Sequence, residues 1–92
     1  MKLKLITPNK GLEIDREVTL VEAESPEGSF GILDKHIGLV TTLKETSILR
    51  YQTKSTSPIK DVRLTDGILE VTQIKNVTEV RVIASKVEKL AQ

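Results

Sequence analysis

The chain has 92 residues, with 14 lysines and arginines against 13 acidic residues and no cysteine. A chain of this size forms one domain and buries only roughly two thirds of the surface it exposes when unfolded, which leaves no room for a second lobe or a deep substrate cleft. The balanced charge gives no global field for nucleic acid or an anionic membrane, and the lack of cysteine removes disulfides, thiolate chemistry and most structural zinc sites.

The dominant sequence period is two. Lys2 to Thr7 alternates charged and apolar residues, placing Leu3 and Leu5 on one face, and Pro8-Asn9-Lys10-Gly11 supplies a turn. Leu12 to Ile14 reads as a short continuation. Val18 to Glu24 is rich in residues that favour the pleated surface, and Pro26 and Gly28 close it. Phe30 and Ile32 alternate across Gly31, followed by apolar and threonine-rich runs over Gly38 to Leu43 and Ser47 to Gln52. Thr53 to Pro58 reads as a hairpin loop before a strand over Ile59 to Thr65. Asp66-Gly67 marks a tight turn, on the argument that glycine accepts positive φ, and it leads into Ile68 to Thr72. Val77 to Ala84 closes the series. About nine short strands at this spacing, with every proline in a break, predict an all-β fold: nine to ten strands in an antiparallel β-sandwich or flattened barrel. Only Ser85 to Gln92 has helical character, so residues 1–85 are expected to form the sandwich and 86–92 a short tail with a helical turn. No run approaches the roughly 18 apolar residues of a membrane span, and Met1 to Leu5 contains no signal-peptide core, so a soluble cytoplasmic chain is expected.

Few residues suggest chemistry. His36 is the single histidine, and although Asp34 and several serines lie nearby in sequence, no nucleophile elbow or oxyanion loop accompanies them. One histidine with scattered carboxylates lacks the paired spacing zinc needs. Gly28 and Gly31 are not followed by the helix and lysine of a phosphate loop, so no cofactor is expected. Phe30 and Tyr51 are the only aromatics, too few for the stacking platforms of a nucleic-acid barrel. The alternative is a small β carrier module that displays a modified lysine on a hairpin, for which Asp34-Lys35 fits the dipeptide but the following residues do not.

From Ser25 to Leu43 the chain resembles the signature region of the epsilon subunit of F-type ATP synthases, the counterpart of mitochondrial delta. The matching residues are Glu27, Gly28, Phe30, Gly31, Ile32, His36, Leu39, Thr41 and Leu43. Thr65-Asp66-Gly67-Ile68-Leu69-Glu70-Val71 resembles the family's later Ser-Gly-Gly element with its following strand. The opening Lys2 to Thr7 with Pro8 also fits, so the resemblance runs from Met1 to about Ser85. Two departures stand out. The family's Pro-Gly before the histidine is Asp34-Lys35 here, so the turn presenting His36 takes a different or strained geometry. The family's two-helix C-terminal domain has no counterpart in this sequence.

The resemblance implies a ten-stranded sandwich that is not itself catalytic. It implies binding to the central-stalk gamma subunit and to the c-ring, helping to couple ion translocation to rotation, and peripheral association with the cytoplasmic face of the membrane through the complex only. Thr7, His36 and Thr41 are implied on the gamma-facing surface, and Glu27, Ser29 and Phe30 in the loop nearest the ring.

Overall fold

Apolar residues at every second position need a sheet with one dry face, and two such sheets can cover each other. In the computed structural model, which describes residues 1–90, ten strands do this. They are β1 (Lys2–Thr7), β2 (Gly11–Glu17), β3 (Leu20–Ser25), β4 (Gly28–Ile32), β5 (Leu39–Thr42), β6 (Thr46–Gln52), β7 (Lys60–Thr65), β8 (Ile68–Ile74), β9 (Val77–Ile83) and β10 (Lys86–Lys89). The first sheet has the order β2-β1-β9-β8-β5 and the second β10-β7-β6-β3-β4. No helix among the described residues is long and apolar enough to cross a membrane.

The core lies between the sheets. Leu3, Leu5, Leu69, Val71, Val80 and Val82 come from the first, and Val21, Ile32, Leu49, Val62 and Leu64 from the second. All of these are essentially closed to solvent. The expected antiparallel arrangement holds for every ladder but one: β1 runs parallel to β9, from Lys2↔Glu79 to Ile6↔Ile83. That pairing locks the first strand between β2 and the ninth, so the N-terminal segment is an interior part of the sheet. Ser47 is buried beside Leu64's cross-strand position, and its hydroxyl has no hydrogen-bond partner among the described residues. An unpaired buried hydroxyl carries a desolvation cost without return, so Ser47→Ala is expected to raise stability by up to about 1 kcal/mol in urea unfolding.

Turn chemistry explains where the strands end. Thr7 pairs with Gly11 across Pro8-Asn9-Lys10, and Gly11 takes φ +70, the left-handed conformation glycine enters without steric cost. The strand that follows runs to Glu17, longer than the Leu12 to Ile14 segment the sequence suggests, because an edge strand exposes Asp15, Arg16 and Glu17 to water. At Asp66-Gly67 the positive φ (+51) falls on Asp66, while a Cβ on Gly67 would lie 3.1 Å from Leu43 Cδ1 and oblige that side chain to shift. The two-residue mirror-image turn is at Lys75-Asn76, φ +51 and +65, joining β8 to β9.

The tail departs from its local preference. Lys86–Lys89 is not a helical turn but strand β10, paired antiparallel to β7 from Lys86↔Thr65 to Lys89↔Val62. Val87 packs against the core, and that burial outweighs the weak helical bias of Lys86, Glu88 and Lys89, since so short a helix has no stability of its own. The sandwich therefore continues past residue 85, and the part of the expected helical turn at 91–92 lies outside the described residues.

Candidate functional site

The two open sides of the sandwich differ in chemistry. On one side the edge strands are β2 and β10, carrying Glu13, Asp15, Arg16 and Glu17 on the first and Lys86, Glu88 and Lys89 on the second. The β1–β2 register also shifts between Leu5 and Ile6. Charges and bulges of this kind keep an edge from pairing with another chain. The other side is bounded by β4 (GSFGI) and β5 (LVTT), neither of which carries a charge. The loop 33–38 joins those two edges. The three most exposed large apolar residues among the described ones are Leu33 at 62% and Ile37 at 84% in that loop and Val40 at 68% in β5.

That loop is clasped by the β8–β9 hairpin. Lys35 N–H donates to Thr78 Oγ1 at 2.6 Å, Gln73 Nε2 donates to His36 O at 2.9 Å, and Gln73 and Thr78 bond each other. Thr78 is fully buried, so its hydroxyl is a fixed anchor. Lys35 adopts φ +66, where a Cβ crowds the following carbonyl at a cost of roughly 1–2 kcal/mol. The strain expected from Asp34-Lys35 is therefore present, at the position where the resembling family has glycine. Lys35→Gly is expected to stabilise the fold by about 0.5–1 kcal/mol, and Lys35→Ala to change it by less than about 0.5 kcal/mol, measured by chemical denaturation.

His36, Thr41, Phe30, Leu39 and Ser25 line one shallow groove of about 300 Å³ between the β4 and β5 edges. His36 Nδ1 lies 2.7 Å from Ile37 O. Ser25 Oγ lies 3.0 Å from Gly28 O and 3.2 Å from Glu27 Oε2, spending its single proton inside the β3–β4 hairpin. The serine and histidine thus serve different local turns, with no nucleophile and base relation between them. No group of metal-ligating side chains occurs among the described residues.

Of the residues predicted for a gamma-facing surface, His36 and Thr41 come together here. Thr7 does not join them. The β1, β9, β8 and β5 registers put Thr7 at the Ile83, Ile68 and Thr42 end of the first sheet, whereas the His36 loop is tied to Gln73 and Thr78 at the other end. Thr7 is also buried, and its hydroxyl donates to Glu13 Oε2 at 2.7 Å. The side-chain alternation of β1 already implies this, because Thr7 shares parity with Leu3 and Leu5. Glu27 and Ser29 are exposed on the β3–β4 hairpin, with Phe30 half-buried behind them. Lys35 is exposed, but β4 and β5 belong to different sheets, so the hairpin the carrier alternative requires is not formed.

A second surface escaped the sequence reading. Leu12, Ile6, Ile83 and Ile68 stand in one cross-strand row on the outer face of the first sheet, with Leu12, Ile83 and Ile68 about half exposed. Beside that row Lys4 and Arg81 pair with Glu79, and the outer face of the second sheet carries further ion pairs, Arg63 with Glu88 and Arg50 with Asp61. The signal was present as apolar residues of the wrong parity for the core, visible only once the register is known.

Uncharged edge strands, a hydrogen-bonded loop with exposed apolar residues and an apolar outer row are features that binding surfaces carry. Residues 1–90 match the family described as ATP synthase, Delta/Epsilon chain, beta-sandwich domain, and the chain belongs to that family. It is 35% identical over 75 residues to the ATP synthase epsilon chain of Sulfurovum sp. (strain NBC37-1), covering 82% of this chain and 56% of that one. It is 32% identical over 75 residues to the epsilon chain of Sulfurimonas denitrificans, covering 82% and 55%. The chain thus spans about half the length of these relatives. Among solved structures, a chain of the Euglena gracilis mitochondrial ATP synthase OSCP/F1/c-ring assembly superposes with a TM-score of 0.80 at 17% identity, covering 95% of this chain and 51% of that one. A chain of the Tetrahymena thermophila mitochondrial ATP synthase central stalk and c-ring superposes at 0.71 and 17%, covering 95% and 64%. At that identity the likeness is one of fold.

Proposed function

We propose that this chain is the sandwich domain of a non-catalytic rotor subunit in an F-type ATP synthase, binding the gamma subunit and the c-ring and helping to couple ion translocation to rotation. The observation that carries the reading is the family match over residues 1–90. Support comes from the relatives' name as epsilon chains and from fold neighbours within central-stalk and c-ring assemblies. The domain associates with the membrane only through the complex, on its cytoplasmic face.

The mechanical demand is stiffness. A rotor part transmits torque without storing it, and two cross-covering sheets with a close-packed core deform little. The loop 33–38 is as well suited, because the Thr78 and Gln73 clasp removes the freedom a surface loop ordinarily has. His36 and Thr41 then face gamma, and Glu27, Ser29 and Phe30 face the ring, the two surfaces adjoining at the groove that Phe30 shares with His36 and Thr41. Thr7, turned inward and bound to Glu13, serves the β1–β2 turn.

The test is calorimetric titration of the chain with the gamma subunit of its own host. His36→Ala is expected to weaken binding by at least tenfold while leaving the melting temperature of the free chain within about 2 °C, since removing an exposed contact opens no core cavity. Intact binding with a lowered melting temperature would assign His36 to the loop's stability instead.

A further inference from the structure

We propose that the free edge of β4 is a strand-addition site: it takes an extended segment of a different polypeptide, carrying large apolar side chains at alternate positions, as an additional strand of the second sheet. The inference is argued from the β4 edge itself and not from the rotor reading, which assigns Ser29, Phe30, His36 and Thr41 on the same side to rotor contacts.

Backbone geometry gives the first reason. Even-numbered residues of β3 face β6, as the bond from Lys44 N–H to Glu24 O shows. Glu22 and Glu24 are the cross-strand partners of Gly31 and Ser29. In an antiparallel ladder the groups that do not point at the neighbour point away from it. The N–H and C=O of Ser29 and Gly31 therefore face the open edge, where they offer the alternating donors and acceptors an extended backbone completes.

The second reason is the pair of depressions flanking that edge. Outside the second sheet, Leu20, Glu22, Phe30, Gly31 and Leu33 border a groove of about 350 Å³. Between the sheets lies the groove of about 300 Å³ lined by Phe30, Leu39, His36 and Thr41. Side chains of an added strand alternate between faces and so drop into the two grooves in turn. The other edges lack this combination. β2 and β10 are charged, and β5 is only four residues long, with Thr42 O already accepting the Thr41 hydroxyl.

A β4 to β4 pairing of two copies does not supply that occupant. In an antiparallel pairing confined to β4, the residues opposite Ser29 and Gly31 are again Ser29 and Gly31, because within that strand only they present backbone groups to the open edge. The outer groove would then receive one hydroxymethyl and one hydrogen, and remain empty. A strand with leucine or valine at those positions fills it.

The test uses the full chain labelled with nitrogen-15, titrated with the capped peptide acetyl-Thr-Leu-Lys-Leu-Thr-Val-Lys-amide and read by amide shifts and hydrogen exchange. The expected result is saturable shifts at Ser29 and Gly31 with exchange there slowed at least tenfold, while the β2 and β10 amides are unmoved. Gly31→Lys should retain the fold, since no atom lies within 4 Å of the Cβ it adds, and should weaken peptide binding at least tenfold by charging the edge. No shift at millimolar peptide, shifts centred on another edge, or binding indifferent to Gly31→Lys would overturn the proposal. Shifts at Ser29 and Gly31 that depend on protein concentration without peptide would overturn it in favour of self-pairing. Because the probe contains no rotor protein, a negative result here leaves gamma binding, measured separately, untouched.

Discussion

Thr78→Val is expected to destabilise the chain by about 1–2 kcal/mol although it removes no volume, because it deletes the buried hydroxyl that accepts from Lys35 N–H and bonds the Gln73 side chain, leaving Lys35 N–H only the longer bond to Asp34 Oδ1. Thr78→Ser, which keeps the hydroxyl, should lose less. Exchange of the Lys35 amide separates this from a general loss of stability. In the valine variant it should accelerate beyond what the global change predicts, since the 33–38 loop loses its anchor while the sheets persist. Equal stability of the valine and threonine forms would show that water replaces the hydroxyl and that the loop is held by other contacts.

Leu5→Ala should cost about 2–5 kcal/mol, the range for deleting a fully buried leucine side chain from a packed core. The neighbouring Ile6→Ala should cost less than about 1.5 kcal/mol, because Ile6 faces outward from the same strand, in the exposed row with Leu12 and Ile83. The contrast tests the placement of β1. If this strand lay loosely on the sheet, as chain termini often do, both substitutions would be mild. Its pairing with β2 on one side and β9 on the other makes Leu5 as central as any residue in the sandwich. Urea unfolding of the two variants gives the comparison directly.

Period two made the sandwich legible, since Leu3 and Leu5, Val80 and Val82, and Leu69 and Val71 alternate openly. Where local chemistry and tertiary pairing disagree, tertiary pairing wins. Lys86 to Lys89 has helix-forming residues but is strand because β7 offers an unpaired edge and Val87 finds the core. Lys75-Asn76 lacks the glycine that marks most two-residue hairpins, so the turn there was not foreseen, and Asn76 tolerates the left-handed conformation through its short polar side chain. The candidate site was legible only in part. The run from Glu27 to Thr41 named His36, Thr41 and Phe30, which do share a groove. Gln73 and Thr78, which hold His36 in place, lie some forty residues away in sequence. No local pattern marks a buried threonine as an anchor. The difference between charged and uncharged edges likewise emerges only from strand order, which period-two patterns do not encode.

The most direct test of the rotor reading is co-expression of this chain with the gamma subunit and c-ring of its host, followed by gel filtration in detergent and mass analysis of the peak. The account predicts that the chain elutes with gamma at one copy per gamma, that the pair binds the ring, and that the chain alone shows no ATP turnover. A chain that stays separate from gamma at micromolar concentration, with both proteins folded, would contradict it.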